Sequence, residues 1–216
     1  KVYWFIKMEN IDLVILAGGK GTRIKKFSNS PKPIIKFNGL YFLDYLIQNY
    51  SIYNFKNIYI LAGYKGKQIK NIYKTRKFNL KNINVIIEKK PMDTGGALFN
   101  LKKIVKNNFV LVNGDSILDI NLDNFAKKKL GNNLIKIALI NKKFTIIKNK
   151  LGNIILKKDK IISSDYSKYM NAGVYYCNKK LLKLIKNQKK SLENQIIPDL
   201  IKNQKVTGEI IKNTYF

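Results

Sequence analysis

Apolar residues gather in short continuous runs at 11–17, 57–62, 83–87, 109–112, 134–140 and 172–177. Runs of that length suit strands buried on both faces and are too short for buried helices. Between several of them the apolar spacing changes to one side of a helix, which predicts helices over 41–53, 65–73, 95–105 and 122–129. Two later helices are predicted over 181–187 and 192–203. Strands alternating with helices predict an α/β fold, a mostly parallel central sheet covered by helices. The segment 142–162 breaks the rhythm with short β-like pieces around Gly152, which predicts a small antiparallel excursion. In such a fold ligands bind at the carboxyl ends of the strands, where residues 18–23 and 114–115 fall.

Composition narrows the class. A chain of 216 residues, 45% of them hydrophobic, suits one domain with a substantial core and is no disordered segment. Its formal net charge of +29 raises the question of a nucleic-acid partner. The lysines, however, are spread along the whole chain among abundant Asn and Ile, without a basic block or a nucleic-acid-binding motif. An AT-rich genome writes that composition, so no nucleic-acid partner is expected, although the positive field helps draw in triphosphates. Cys177 is alone, which points to a reducing, cytoplasmic setting, and the absence of histidine excludes His-based acid–base chemistry. No apolar run approaches the roughly 18 residues of a membrane span, and residues 1–7 are too short for a signal segment. With Lys at position 1 and Met8 before the first strand, residues 1–9 read as an N-terminal extension and 10–216 as the domain.

The chemistry centres on Leu16-Ala17-Gly18-Gly19-Lys20-Gly21-Thr22-Arg23, followed by Pro31-Lys32-Pro33. Three glycines in four positions let backbone N–H groups close on an anion, with cations at 23 and 32 beyond them. It is not a dinucleotide fingerprint, since Ile24 stands three after Gly21, nor a Walker A loop, since Gly19-Lys20 runs into Gly21. Arg23 and Arg76 are the arginines of a chain with 42 Lys+Arg. Arginine at 23 hints at a need for the planar fork that matches phosphate oxygens, whereas Arg76 reads as a solvated surface residue. Further on, Asn113-Gly114-Asp115-Ser116 ends an apolar run and sets a carboxylate at a strand end. It reads either as a plain turn or as a holder of Mg²⁺ shared with substrate phosphates.

The spelling L-A-G-G-x-G-T-R with a downstream P-K-P resembles the signature of the sugar-phosphate nucleotidyltransferases, which join a nucleoside triphosphate to a sugar 1-phosphate. The resemblance covers about residues 10 to 216 and implies a Rossmann-like three-layer sandwich. It implies that Leu16, Ala17, Gly18, Gly19, Gly21 and Thr22 cradle the nucleotide, that Arg23 and Lys32 act on its phosphates, and that Asp115 binds Mg²⁺. The stretch from Glu88 to Ala97 matches the family's loop near base and ribose, giving Glu88, Thr94, Gly95 and Gly96 nucleotide roles. Asp93 stands where the family commonly has glycine, which leaves the base open; the same residues also read as a plain helix N-terminus capped by Asp93 or Thr94. Met170-Asn171-Ala172-Gly173-Val174-Tyr175 matches the family's N-A-G-[IV]-Y, implying that Asn171 and Gly173, with Asn113, line the sugar pocket. Ser191-Leu192-Glu193 with Pro198 and Leu200 resembles its S-x-E…P-x-L helix, where Glu193 either supports the sugar site or simply favours a helix start.

Two departures follow. The family's Glu-Lys pair before N-A-G is missing, which leaves Lys168 as the candidate for the sugar phosphate. Its second metal-binding aspartate would lie past Phe216, so the chain reads as C-terminally incomplete, binding nucleotide better than it reacts. The resemblance is nearest to the branch that makes GDP-activated heptose from D-glycero-D-manno-heptose 1-phosphate, which favours GTP. Some of its members are fused to a phosphatase. Uridylyl-, cytidylyl- and mannose-type transfers stay open, as does a non-catalytic nucleotide-sensing module, and the oligomeric state is not specified.

Overall fold

The computed structural model describes residues 11–19, 21, 30–78, 81–141, 152–157 and 160–211. The expected N-terminal extension, Lys20, Thr22, Arg23, residues 142–151 and the chain end from 212 lie outside the described residues.

The first strand, β1 (Asp12–Ala17), leads through a 3-10 turn at Lys32–Ile34 into a hairpin of β2 (Lys36–Phe37) and β3 (Leu40–Tyr41), then α1 (Phe42–Ser51). Next come β4 (Ile58–Ala62), α2 (Gly66–Tyr73), β5 (Lys77–Phe78), β6 (Lys81–Ile87) and a short α3 (Asp93–Gly96) that tightens into a 3-10 turn over Ala97–Leu101. Then follow β7 (Phe109–Asn113), α4 (Leu122–Lys127), β8 (Ile135–Asn141), β9 (Gly152–Lys157), β10 (Lys160–Ser167) and β11 (Tyr169–Cys177). The chain continues with α5 (Leu181–Leu184), a π-helical turn at Leu192–Ile196, α6 (Ile197–Lys202) and β12 (Val206–Ile210).

Ten strands share one sheet in the order β5-β6-β4-β1-β7-β11-β8-β12-β10-β9. The apolar runs 11–17, 57–62, 83–87 and 109–112 form its parallel half, β6-β4-β1-β7, as the alternation predicts. Their carboxyl ends therefore lie side by side. The antiparallel part takes in more than 142–162: β11 runs against both β7 and β8, while β12 pairs parallel to β8. Successive residues of β1 point to opposite faces. Leu13 and Ile15 pack with α1, α2 and α4 on one side, and Val14 packs with residues of α5, α6 and the 97–101 turn on the other. Three layers result.

Two buried charges tie helices to that frame. Lys136, on β8, donates from Nζ to Phe125 O at 2.6 Å and Lys128 O at 3.1 Å, satisfying carbonyls at the end of α4. Asp44, 1% exposed, accepts from Tyr41 N at 3.0 Å, Tyr73 Oη at 2.6 Å and Arg76 Nη1 at 2.6 Å. Arg76 thus corrects its sequence reading. Its guanidinium lies near the Tyr41 and Tyr73 rings, 5.3 and 5.4 Å from their centroids, and answers a carboxylate that α1 buries against α2. A planar cation both stacks on rings and forks onto a carboxylate, which explains arginine in a lysine-rich chain. Among the described residues, no helix is long and apolar enough to cross a membrane.

Candidate active site

A cleft of about 670 Å³ opens over the carboxyl ends of the parallel strands. Its floor is main chain. Gly63 follows β4 and meets Gly18 after β1 so closely that a Cβ on Gly63 would lie 2.7 Å from Gly18 O. Tyr64 N donates to that same oxygen at 3.1 Å. On the other side Gly114 N donates to Leu16 O at 2.8 Å, and a Cβ on Gly114 would lie 2.5 Å from it. Leu16, Ala17, Gly18, Gly19 and Gly21 all line this floor, so the expected nucleotide loop faces the cleft as far as it is described. Thr22 and Arg23 lie outside the described residues.

Lys32 and Asp115 both line the cleft and meet, Nζ to Oδ2, at 2.8 Å. Lys32 is carried by the 3-10 turn between Pro31 and Pro33, while Asp115 follows β7. Ser116 Oγ donates to the other carboxylate oxygen at 3.2 Å. Among the described residues no group of three or more His, Cys, Asp or Glu side chains comes together. A Mg²⁺ here would therefore rest on Asp115 and on substrate oxygens, which is how this hard ion commonly binds. The donor fits, since Oδ2 of this carboxylate already holds a cation, the Lys32 ammonium.

Glu88, at the end of β6, closes the side of the cleft beside Gly18, where a Cβ would lie 2.8 Å from Glu88 Oε1. Its other oxygen accepts from Met92 N at 3.1 Å, and burial holds its pKa above the ordinary 4.5. Thr94 lines the cleft, but Gly95 and Gly96 turn away from it. Both donate to Lys190 O, at 2.9 and 2.8 Å, and a Cβ on Gly96 would lie 2.4 Å from Gln188 O. Their missing side chains admit a strap of residues 188–193, which Lys190 N fixes further by donating to Met92 O at 3.0 Å. Thr94 Oγ1 accepts from Leu192 N at 2.9 Å and donates to Glu193 Oε2 at 2.6 Å.

The residues expected around a sugar form a connected set. Asn113 lines the cleft, and Gly173, at φ +75°, brings its backbone against the Asn113 amide; a Cβ there would lie 2.8 Å from Nδ2. Asn171 Oδ1 accepts from Gly173 N at 2.9 Å and its Nδ2 donates to Tyr175 Oη at 2.8 Å. Tyr175 Oη donates in turn to Glu193 Oε1 at 3.5 Å. Glu193 thus joins the strap, Thr94 and β11. Lys168 is not brought to the cleft; its Nζ sits 5.3 Å from the Tyr169 ring centroid. Within the loop from Glu88 to Ala97, Lys89, Lys90 and Asp93 also line the cleft; sequence reading missed Gly63, Tyr64 and Lys189. Gly63 follows an apolar run as Gly18 does, a signal that could have found it. Lys189 stands in a lysine-rich stretch and carries no local mark.

A family model described as Nucleotidyl transferase matches residues 13–215. Among curated relatives, a D-glycero-alpha-D-manno-heptose 1-phosphate guanylyltransferase of Campylobacter jejuni is 36% identical over 127 residues, 58% of this chain and 56% of that protein. A protein of the same description from Aneurinibacillus thermoaerophilus is 26% identical over 215 residues, 95% of this chain and 91% of that one. A bifunctional protein GlmU of Methanocaldococcus jannaschii is 29% identical over 204 residues, 92% of this chain and 48% of that protein. The chain thus spans about half the length of several curated relatives that it matches. The solved structure of HddC from Yersinia pseudotuberculosis complexed with GMP-PN shares the fold, with a TM-score of 0.78 at 24% identity over 95% of this chain and 92% of that one.

Proposed function

The chain belongs to the nucleotidyl transferase family, and from that premise we propose that it transfers a nucleoside monophosphate from a triphosphate to a sugar 1-phosphate. The observation that carries this reading is the pairing of Lys32 with Asp115 at 2.8 Å over a floor of peptide groups. An anion would lie there between the Lys32 ammonium and a carboxylate that can hold a metal.

In the proposed reaction an oxygen of the sugar 1-phosphate attacks the α-phosphorus. The bond from that phosphorus to the oxygen bridging to the β-phosphate breaks, and pyrophosphate leaves. The nucleophile is already an anion, so no protein nucleophile or base is needed. Catalysis then rests on aligning two anions and neutralising charge as it moves. Lys32 turns from Asp115 to the reacting phosphates, and Arg23 holds those that leave. Asp115, relieved of Lys32, would hold Mg²⁺, which supplies charge neutralisation to the phosphate oxygens. Asn113, Asn171, Gly173 and Glu193 shape the acceptor side, and Thr94 couples it to the nucleotide side.

GTP is the proposed donor. Glu88 is the carboxylate at the far end of the floor from Asp115, and an ionised carboxylate only accepts hydrogen bonds. Guanine offers two adjacent donors, N1–H and the N2 amino group, to one such acceptor; uracil and cytosine offer no such pair. The relatives named as heptose 1-phosphate guanylyltransferases support the same choice and make a heptose 1-phosphate the proposed acceptor. A pyrophosphate-release screen crossing GTP, UTP, CTP and dTTP with several sugar 1-phosphates tests it. Release with GTP and a heptose 1-phosphate is expected. Nucleotide binding without release from any pair would make the protein a sensor instead.

A further inference from the structure

We propose that Asp93 reads the ribose hydroxyls of the bound nucleotide and so selects ribonucleoside over deoxyribonucleoside triphosphates, a refinement that rests on the function proposed above.

Asp93 lines the cleft with an exposed side chain. Its backbone sits at φ +61°, a region glycine enters freely and other residues enter at a cost, though Asp less than most. Glycine would hold this turn without that cost, so holding the turn does not by itself account for Asp. The side chain is part of the answer to why the cost is borne. One oxygen, Oδ1, accepts from Thr94 N at 2.8 Å, which fixes the carboxylate against the wall and leaves Oδ2 for something else. Among the described residues it makes no ion pair, although Lys89, Lys90 and Lys189 line the same cleft.

A carboxylate in a cleft built for anions must lie away from the phosphates and face groups that donate. On a nucleotide those are the base and the ribose diol. Glu88 stands on the same loop, with Met92 N bonded to its carboxylate, immediately before Asp93 in the chain. The negative charge of Asp93 also helps hold the Glu88 pKa up, so the two carboxylates are near neighbours. With Glu88 assigned to the base, the ribose hydroxyls are the donors left for Asp93. They couple the nucleoside to the wall that Thr94 ties to the strap.

The test is binding of GTP, 2′-deoxy-GTP, 3′-deoxy-GTP and ITP to the wild-type protein and to Asp93→Asn and Asp93→Gly, by calorimetry. Both substitutions tolerate a positive φ, so folding should survive, and a melting curve checks it. Wild-type protein should bind GTP at least about 10-fold more tightly than one of the deoxy analogues, the scale of one charge-assisted hydrogen bond. Asp93→Gly should shrink that ratio to about 3-fold or less while leaving the GTP-to-ITP ratio unchanged. An unchanged ribose ratio in both variants would overturn the assignment, and a collapse of the ITP ratio instead would move Asp93 to the base. Failure of wild-type protein to bind any nucleoside triphosphate would overturn the proposed function itself.

Discussion

Lys32 Nζ lies 2.8 Å from Asp115 Oδ2, across 83 residues of sequence, and both side chains line the cleft. The pair is half exposed, with side chains 35% and 47% accessible, so it contributes little to folding, within about 1 kcal/mol. It keeps two groups of the proposed reaction neutralised until a triphosphate and its cation take both places.

Asp115→Asn keeps the shape and loses the charge. Turnover at saturating substrates is expected to fall by about 10²–10³, the scale of losing one preorganised charge contact. The melting temperature should hold. Initial rates titrated with Mg²⁺ check it, and activity restored only at high Mg²⁺ would show a metal held by substrate alone.

The two arginines should separate by the quantity they change. Arg23→Lys is expected to lower turnover and leave the unfolding midpoint alone. Arg76→Met leaves Asp44, 1% exposed, without its cation and should cost about 1–3 kcal/mol of stability, since the Tyr73 and Tyr41 bonds to Asp44 remain. Urea unfolding and steady-state kinetics on both proteins give the comparison. A turnover loss in Arg76→Met with unchanged stability would contradict the structural role.

Glu88 carries a pH signature. Burial raises its pKa above 4.5, so the folded state binds the proton more strongly than the unfolded one. Its contribution to stability is therefore present at low pH and is lost as pH rises through the raised value. Recognition runs the other way, because only the ionised carboxylate accepts both guanine donors. Affinity for GTP should fall on acidification, beginning above pH 4.5, and Glu88→Gln should bind GTP weakly with that dependence removed. Calorimetric Kd values across pH for both proteins settle the sign.

Thr94→Val removes a hydroxyl that accepts from Leu192 N at 2.9 Å and donates to Glu193 at 2.6 Å. Two half-buried groups lose a partner, which should cost about 2 kcal/mol and lower the melting temperature by roughly 4–8 °C. Sugar-phosphate KM should rise more than nucleotide KM, because Glu193 reaches Tyr175 and Asn171. Equal changes in both constants would place the hydroxyl in the nucleotide site alone.

The parallel half of the sheet was legible because its strands are buried on both faces, so Leu13-Val14-Ile15 or Val110-Leu111-Val112 writes an unbroken apolar run. Strand direction is not written that way. The run at 172–177 looked like the others, yet β11 is antiparallel to both neighbours. β12 went unread because Gly208 and Glu209 interrupt the apolar pattern from Val206 to Ile210. Residues that act through local backbone, the glycine loop and the turn at Asp115, were readable as candidates, and the structure brings their described members together. Arg76 was misread because its meaning lies with Asp44, 32 positions away on α1. Lys189 reaches the cleft only because the strap is pinned by backbone bonds to a loop that carries no mark of receiving it.

The floor formed where Gly63 passes Gly18 and Gly114 passes Leu16 is made by peptide groups in close approach. Mutational drift toward lysine, asparagine and isoleucine rewrites side chains and cannot touch an amide or a carbonyl. A surface can therefore change its whole chemical character while the bed beneath the ligand keeps its shape. Such a bed is inherited as curvature of the main chain, so relatives with about a quarter of their residues in common can share it.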